Sequence, residues 1–230
     1  MVKLWNDFLN LFFPRLCLLC RKPLAEGETH FCLHCLYRLP RTRYERRPGN
    51  AAEQLFLGKV PVERAFPFLR YEKGGNVQQL IHTLKYKDNK ELAFYLGKLA
   101  ARDIQRAGAC RDIDLLVPIP LHKRKKRQRG YNQSEWIALG LASVINIPLD
   151  TSGLVRIRAT PTQTRKSVYD RWINVQDVFE VPHPEHFEKK HILLVDDVLT
   201  TGSTLGACAC AIQHAAEARI SIFSLAIAER

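Results

Sequence analysis

Residues 192–204 read I-L-L-V-D-D-V-L-T-T-G-S-T and are the most informative stretch of the chain. The first four residues are apolar, which predicts a strand that is buried on both faces, as in a parallel sheet. Asp196 and Asp197 follow at the carboxyl end of this strand, and a hydroxyl-rich turn comes next. The Ala-rich run after the turn predicts a helix. Because ligands of open α/β sheets bind where strands end and helices begin, the stretch predicts a ligand site.

The turn and the carboxylates each favour one part of the same ligand. Hydroxyl groups and backbone N–H groups at the start of a helix suit a phosphate. The residues that would supply them are Thr200, Thr201, Gly202, Ser203 and Thr204. Adjacent carboxylates suit the two neighbouring hydroxyls of a ribose, or a hydrated Mg²⁺. The stretch therefore predicts a site for a phosphorylated ribose.

A Walker B strand is the main alternative, because it also ends in acidic residues. It requires a G-x-x-x-x-G-K-[ST] loop elsewhere in the chain. The two Gly-Lys pairs, at residues 58–59 and 97–98, both lack the upstream glycine. The sequence therefore disfavours a P-loop.

Strands and helices alternate from residue 64 onward. Apolar runs predict strands at 65–71, 112–120, 192–195 and 220–228. Apolar residues at helical spacing fill the segments between them, and Asn132 is the expected N-cap of one helix. This alternation predicts an α/β fold in which a parallel sheet is flanked by helices.

The composition limits the class of protein. A chain of 230 residues favours one or two domains, and a hydrophobic fraction of 46% argues against disorder. The net charge of +12 favours polyanionic partners such as nucleic acid, phosphorylated ligands or an anionic surface. No segment approaches the roughly 18 uninterrupted apolar residues of a transmembrane helix, so no membrane span is predicted.

Residues 1–16 are apolar enough to resemble a targeting segment. Their apolar positions at helical spacing are Trp5, Phe8, Leu9 and Phe12. Polar residues interrupt the segment and no small-residue cleavage site follows, which argues against a signal peptide. We expect a short amphipathic helix that docks on the body of the protein or on a partner, and a cytoplasmic protein.

Four of the seven cysteines form two C-x-x-C pairs. They are Cys17, Cys20, Cys32 and Cys35. Paired knuckles of this spacing place four thiolates around one tetrahedral Zn²⁺. Disulfides would suit a secreted chain with a signal peptide. The spacing therefore predicts a structural zinc site, because four cysteines leave no open position on the metal.

Two basic segments lie outside the C-x-x-C pairs. Residues 38–47 contain five arginines, and six of the seven residues 123–129 are cationic. Both segments suit either a solvated surface or a contact with nucleic acid, and the two interpretations stay open. Residues 123–129 closely follow the predicted strand at 112–120, so their charge can reach a ligand at the edge of the sheet.

Two further cationic segments are candidates for ligand contacts. Lys85 and Lys87 flank Tyr86 between two predicted helices, where a plain surface turn is an alternative. Residues 154–179 are too polar for a core element and include Arg171. Long loops of this kind in a compact domain are usually functional. We expect a long mobile hairpin or a lid, whose cations would shield a charged transition state from water on closure.

Residues 192–204 resemble the phosphoribosyl pyrophosphate (PRPP) signature of type I phosphoribosyltransferases. Other short motifs along the chain are the C-x-x-C pairs, L-K-Y-K, V-P-I-P, R-G-Y-N-Q, and P-T-Q-T followed by R-x-x-N. In this order they resemble the ComF family of competence proteins, over nearly the whole chain. The resemblance implies a phosphoribosyltransferase-like domain at 64–230, preceded by an N-terminal helix with zinc-binding knuckles at 1–40 and a basic linker at 41–63.

The resemblance also implies roles for the candidate residues. Asp196 and Asp197 would hold the ribose hydroxyls of PRPP, the turn at 200–204 would surround its 5′-phosphate, and Mg²⁺ would accompany it. The residues that would contact the pyrophosphate or DNA are Lys85, Lys87, Arg129 and Arg171.

Three functions follow from the resemblance. The first is a competence protein that binds PRPP and takes part in DNA uptake, with single-stranded DNA as a partner. The second is an active phosphoribosyltransferase that acts on an unidentified nitrogen base. The third is a zinc-ribbon adaptor for a helicase-like ATPase. The basic segments favour the first function, and the sequence leaves turnover of PRPP open.

Overall fold

The computed structural model describes most of the chain. The described residues are 14–86, 89–158 and 178–228, without the side chains of Tyr86 and Lys123. The apolar positions of the predicted N-terminal helix, Lys87, Arg171 and most of the predicted lid lie outside the described residues.

Four parallel strands form the main sheet, and two short strands form a separate antiparallel pair. The strands are β1 (Leu69–Arg70), β2 (Leu115–Pro118), β3 (Val155–Arg156), β4 (Phe179–Glu180), β5 (His191–Leu199) and β6 (Arg219–Ile227). The main sheet has the order β1-β6-β5-β2, and β3 pairs with β4. The predicted α/β fold with a parallel sheet is confirmed.

The helices connect and flank these strands. They are α1 (Leu33–Tyr37), α2 (Ala51–Gln54), α3 (Asn76–Tyr86), α4 (Lys90–Ala107), α5 (Lys123–Arg129), α6 (Gln133–Ile145) and α7 (Ser203–Ala215), with short 3₁₀ turns at Tyr44–Arg46 and Pro184–His186. The side chain of Asn132 accepts a hydrogen bond from the backbone N–H of Ser134, which confirms its predicted role as N-cap of α6. Among the described helices, none combines the length and the apolar character needed to cross a membrane.

The strand β5 runs further than the apolar pattern predicts. Its residues 192–195 are fully buried, as expected for a strand covered on both faces. Pairing with β2 reaches only as far as Val195, whereas pairing with β6 continues to Leu199. The extension exists because β6 still offers backbone partners on one side. Asp196 and Asp197 therefore lie within β5, just past the point where its pairing with β2 ends.

The helices α4 and α6 pack against each other through two glycines. A Cβ atom on Gly97 would overlap the carbonyl oxygen of Ile137, and a Cβ atom on Gly140 would overlap that of Phe94. The missing side chains thus allow the two helix backbones to approach closely. This contact fixes α6, whose first turn faces the carboxyl edge of the sheet.

The basic stretch at 41–63 packs on the α/β body. Arg41 forms an ion pair with the buried Asp103 of α4, with 3.0 Å between Nη1 and Oδ2. Asn50 caps α2 and donates a hydrogen bond from Nδ2 to the carbonyl of Ala65 at 2.9 Å. Phe56 is fully buried. These contacts attach the stretch to the sheet domain, and Phe56 reaches the predicted phosphate turn.

Candidate functional site

A crevice of about 430 Å³ opens at the carboxyl edge of the main sheet, between the end of β2 and the extended part of β5. Its polar lining residues include Lys85, Lys125, Arg129, Gln133, Ser134, Arg156, Asp196, Asp197, Thr200 and Thr204. These side chains come from four separate stretches of the chain, around residues 85, 125–134, 156 and 196–204. The structure thus brings together the carboxylates, part of the turn, and two of the predicted cations, Lys85 and Arg129.

The two carboxylates have different environments. Asp196 Oδ1 accepts hydrogen bonds from the Ser134 hydroxyl at 3.1 Å and from the Asp197 backbone N–H at 2.8 Å. Burial, and then the charge of Asp197, raise the pKa of Asp196 to about 7. Asp197 Oδ2 instead lies 3.1 Å from the ammonium group of Lys85. Near pH 7 Asp196 is therefore only partly ionised, and the ammonium group of Lys85 pairs with Asp197.

Cations outnumber carboxylates in the crevice. Lys85, Lys125, Arg129 and Arg156 line it, against Asp196 and Asp197. Partial burial, and then the charges of Arg156, Arg129 and Lys85, lower the pKa of Lys125. Burial also lowers the pKa of Arg156. Like charges held this close favour a bound polyanion, because an anion relieves their mutual repulsion.

The predicted phosphate turn is ordered around a left-handed glycine. Gly202 has φ 77°, and a Cβ atom there would lie 3.0 Å from the Phe56 ring. Only glycine suits this conformation next to the ring without strain. The hydroxyls of Thr201 and Ser203 lie 2.9 Å apart and share a hydrogen bond. The turn leads into α7, a helix of 13 residues whose N-terminal N–H groups favour an anion.

The R-G-Y-N-Q motif at residues 129–133 makes hydrogen bonds to backbone carbonyl groups beside the crevice. The Tyr131 hydroxyl donates to the carbonyl of Leu84 at 2.6 Å, and the Gln133 side-chain amide donates to the same carbonyl at 3.4 Å. The Asn132 amide donates to the carbonyl of Ile119 at 3.1 Å. The three side chains that donate these bonds are buried. They hold the backbone of Ile119 and of Leu84, the residue before Lys85, at the border of the crevice.

The sequence gives no site role to Ser134, and it predicts Lys125 and Arg156 only as members of the cationic segments 123–129 and 154–179. Ser134 follows the R-G-Y-N-Q motif directly, at the start of a predicted helix on the ligand-binding edge, and this position was the available signal. Lys125 was one cation among six in a basic run. Arg156 lies in the predicted cationic segment 154–179, and it reaches the crevice from β3.

The four predicted metal ligands form a second candidate site. Their Sγ atoms all lie within 4.8 Å of one another, and those of Cys20 and Cys32 are 3.7 Å apart. Zn–S bonds of about 2.3 Å in a tetrahedron place sulfur atoms about 3.8 Å apart. Burial by itself would raise the pKa of the Cys17 thiol. Backbone hydrogen bonds from Cys20, Cys32 and Leu19 together lower this pKa by more than burial raises it, and the resulting value is about 6. The cluster could hold a metal such as zinc.

This cysteine cluster packs against α3 and α4. The Phe31 side chain is buried, and its ring centroid lies 5.9 Å from that of Tyr95 on α4. The His30 ring meets the same tyrosine edge-on at 5.0 Å. The side-chain amide of Gln79 on α3 donates to the carbonyl of Leu18 at 3.2 Å. The cluster is therefore attached to the same helix that carries Lys85.

Comparison with known proteins adds to this geometry. No family model matches the chain. The chain is 30% identical over 226 residues to the DNA utilization protein YhgH of Salmonella typhimurium, covering 94% of this chain and 98% of that protein. It is 31% identical over 215 residues to competence protein F of Haemophilus influenzae, covering 92% and 90%. It is also 32% identical over 112 residues to the competence protein ComFC of Bacillus subtilis, covering 48% and 43%. With the first two likenesses extending over nearly all of both chains, the protein belongs to the ComF family of competence and DNA utilization proteins.

Proposed function

We propose that this protein binds PRPP in the crevice and takes part in DNA uptake through contact with single-stranded DNA. The observation that carries the proposal is the placement of paired carboxylates, a glycine-containing turn and four cations around one crevice. Each group matches one part of PRPP. The cysteine cluster would hold a structural Zn²⁺, and the protein would act in the cytoplasm.

The ribose 5-phosphate half of PRPP fits the β5 end of the crevice. Asp196 and Asp197 would accept hydrogen bonds from the ribose hydroxyls, since carboxylates suit neighbouring hydroxyl groups. The 5′-phosphate would lie at the turn, where Thr200 and Thr204 line the crevice and the N-terminus of α7 follows. Gly202 supports this arrangement because its left-handed backbone packs on Phe56.

The pyrophosphate half fits the cationic side of the crevice. Lys85 and Arg129 would contact it, together with Lys87 and Arg171, which lie outside the described residues. Lys85 would exchange its ion pair with Asp197 for the incoming anion. A hydrated Mg²⁺ suits this place, because Mg²⁺ is usually held by one or two carboxylates and by substrate phosphates.

The proposed DNA contact rests on charge and on the relatives. The chain has a net charge of +12, more than a pocket for one small metabolite requires. Two relatives are named a DNA utilization protein and a competence protein. The exposed cations of α5 lie at the rim of the crevice and offer a surface for a phosphate backbone.

Transfer of the phosphoribosyl group to a nitrogen base is a second candidate function. The excess of cations beside the proposed pyrophosphate position favours it, because such groups stabilise charge that develops on a leaving group. Release of pyrophosphate from PRPP in the presence of a panel of bases tests this function. Release that depends on one base and disappears with Asp197→Asn would support transfer.

Calorimetric titration with PRPP and Mg²⁺ tests the primary proposal. We expect the double variant Asp196→Asn, Asp197→Asn to weaken binding by at least tenfold, or about 1.4 kcal/mol. Glu63→Gln is a matched control, because it removes an exposed carboxylate outside the crevice. Unchanged affinity in the double variant would show that the site is assigned incorrectly.

A separate titration tests the DNA contact. Binding of a labelled oligonucleotide should weaken steeply as salt rises, with a slope of about −0.7 in log–log form for each phosphate contact to a single strand. Absence of binding at low salt would rule out this part of the proposal.

A further inference from the structure

The helix α5 contributes to both the crevice and the outer surface. Lys125 and Arg129 are one helical turn apart, so they share a face, and both line the crevice. Lys125 is exposed as well as lining the crevice, and the exposed Arg124 and Arg127 lie on another face. A helix of seven residues is about 10 Å long. That length matches about three stacked nucleotides at 3.4 Å each.

Both ends of α5 are tied to the sheet edge. The His122 ring caps the start of the helix by accepting a hydrogen bond from the Arg124 backbone N–H at 3.3 Å. Gly130 ends the helix in a left-handed conformation, and the following Asn132 bonds to the carbonyl of Ile119, just past the end of β2. The cations of α5 are therefore held next to the crevice by the fold.

Among the described residues that line the crevice, the charges on the inner face of α5 meet more cations than carboxylates. Lys125 lies among Arg156, Arg129 and Lys85, whose charges lower its pKa along with its partial burial. The charge of Asp197 raises the pKa of Lys125, but this effect is smaller than each of the effects that lower it. A phosphate group that reached this face would meet several cations at once, whether it came from a nucleic-acid backbone or from a pyrophosphate.

We propose that Lys125 and Arg129 are shared by the two ligands, so that Mg²⁺-bound PRPP and single-stranded DNA weaken each other's binding. This inference rests on the proposed function and adds a regulatory coupling to it. Bound PRPP takes the phosphate contacts of the inner face and brings negative charge within the screening length of about 8 Å at physiological salt. A DNA strand along α5 then keeps only the outer cations.

The coupling predicts a change in the salt dependence of DNA binding, and an equal change in Kd for each ligand when the other is bound. Loss of two phosphate contacts reduces the log–log salt slope of single-strand binding by about 1.4, at about 0.7 for each contact. We expect saturating PRPP to raise the Kd for DNA by about tenfold near physiological salt. By thermodynamic linkage, saturating DNA raises the Kd for PRPP by the same factor.

Fluorescence anisotropy of a labelled oligothymidylate tests the coupling with the full-length protein. The titrations are done at fixed free Mg²⁺, with and without PRPP, and sodium sulfate matches the ionic strength. Lys125→Gln should lower the salt slope by about 0.7 in the absence of PRPP. Lys126→Gln is the control, since Lys126 is on the same helix, does not line the crevice and lies 3.8 Å from Glu135. This control should keep the full response to PRPP.

The outcomes separate the coupling from the proposed function. If both ligands bind in separate titrations and PRPP leaves the DNA affinity and salt slope unchanged, the coupling is refuted and the proposed function stands. If PRPP strengthens DNA binding, the coupling is refuted as well. If either ligand fails to bind by itself, the proposed function is wrong and the coupling falls with it.

Discussion

Replacing Asp196 with asparagine should stabilise the folded protein at mildly acidic pH, and more so at neutral and alkaline pH. Asp196 Oδ1 accepts hydrogen bonds from the Ser134 hydroxyl and the Asp197 backbone N–H, at 3.1 and 2.8 Å. An amide oxygen can accept the same two bonds, so Asp196→Asn removes the charge and keeps the contacts. Burial, and then the charge of Asp197, make the ionised form of Asp196 unfavourable in the folded chain.

The size and sign of the effect follow from the pKa of Asp196. It is raised from its ordinary value of 3.8 to about 7, so between these pH values the folded chain binds more protons than the unfolded chain. The free energy of unfolding therefore falls as pH rises through this window. At about 1.36 kcal/mol per pH unit, the full loss is about 4 kcal/mol at pH 8 and about 2 kcal/mol at pH 5.5. Asp196→Asn avoids this loss.

Urea unfolding at pH 5.5 and pH 8, followed by circular dichroism in the presence of zinc, measures the effect. We expect the variant to exceed the wild type in stability at both pH values, with the difference about 2 kcal/mol larger at pH 8. Glu63→Gln, at an exposed carboxylate, should show no such pH-dependent gain. A gain of equal size at both pH values, or no gain, would refute the reasoning about Asp196.

Three further substitutions test other parts of the structure. Cys20→Ser should reduce bound zinc and lower the melting temperature, whereas Cys210→Ser, outside the cysteine cluster, should leave zinc content unchanged in a chelator assay. Gly140→Ala should destabilise the protein by about 1–3 kcal/mol in denaturant unfolding, because its methyl group would overlap a backbone carbonyl of α4; the helix propensity of alanine alone would give the opposite sign. Gly202→Ala should weaken PRPP binding by about tenfold in calorimetry, since it strains a left-handed residue next to a phenylalanine ring. Gly49→Ala, also left-handed but with open space around it, should leave PRPP affinity unchanged.

The parts of the fold that depend on local pattern could be predicted from the sequence. Residues 192–195 are apolar, and the structure buries all four in a parallel strand. Asn132 was expected to be an N-cap, and its side chain fills that role. The spacing of the C-x-x-C pairs predicted that the four thiols would meet, and their Sγ atoms do.

The parts that depend on tertiary neighbours could not be predicted. The contact between Ser134 and Asp196 joins two distant segments, and it exists because α6 and β5 meet at the sheet edge. The extension of β5 past Val195 depends on the length of β6. Arg156 enters the crevice from β3, which pairs with β4 outside the main sheet. Each of these features follows from the order of the strands, which local pattern does not specify.

The strand order also bears on how the protein is made. In the main sheet β1 pairs with β6, with Leu69 opposite Ala226. During translation at roughly 5–20 residues per second, β1 leaves the ribosome on the order of ten seconds before its partner strand is synthesised. Because β6 lies between β1 and β5, the sheet cannot be completed before β6 has been synthesised. We therefore expect chaperone binding to the nascent chain until β6 emerges, and a premature stop codon before β6 should yield a chain that is degraded.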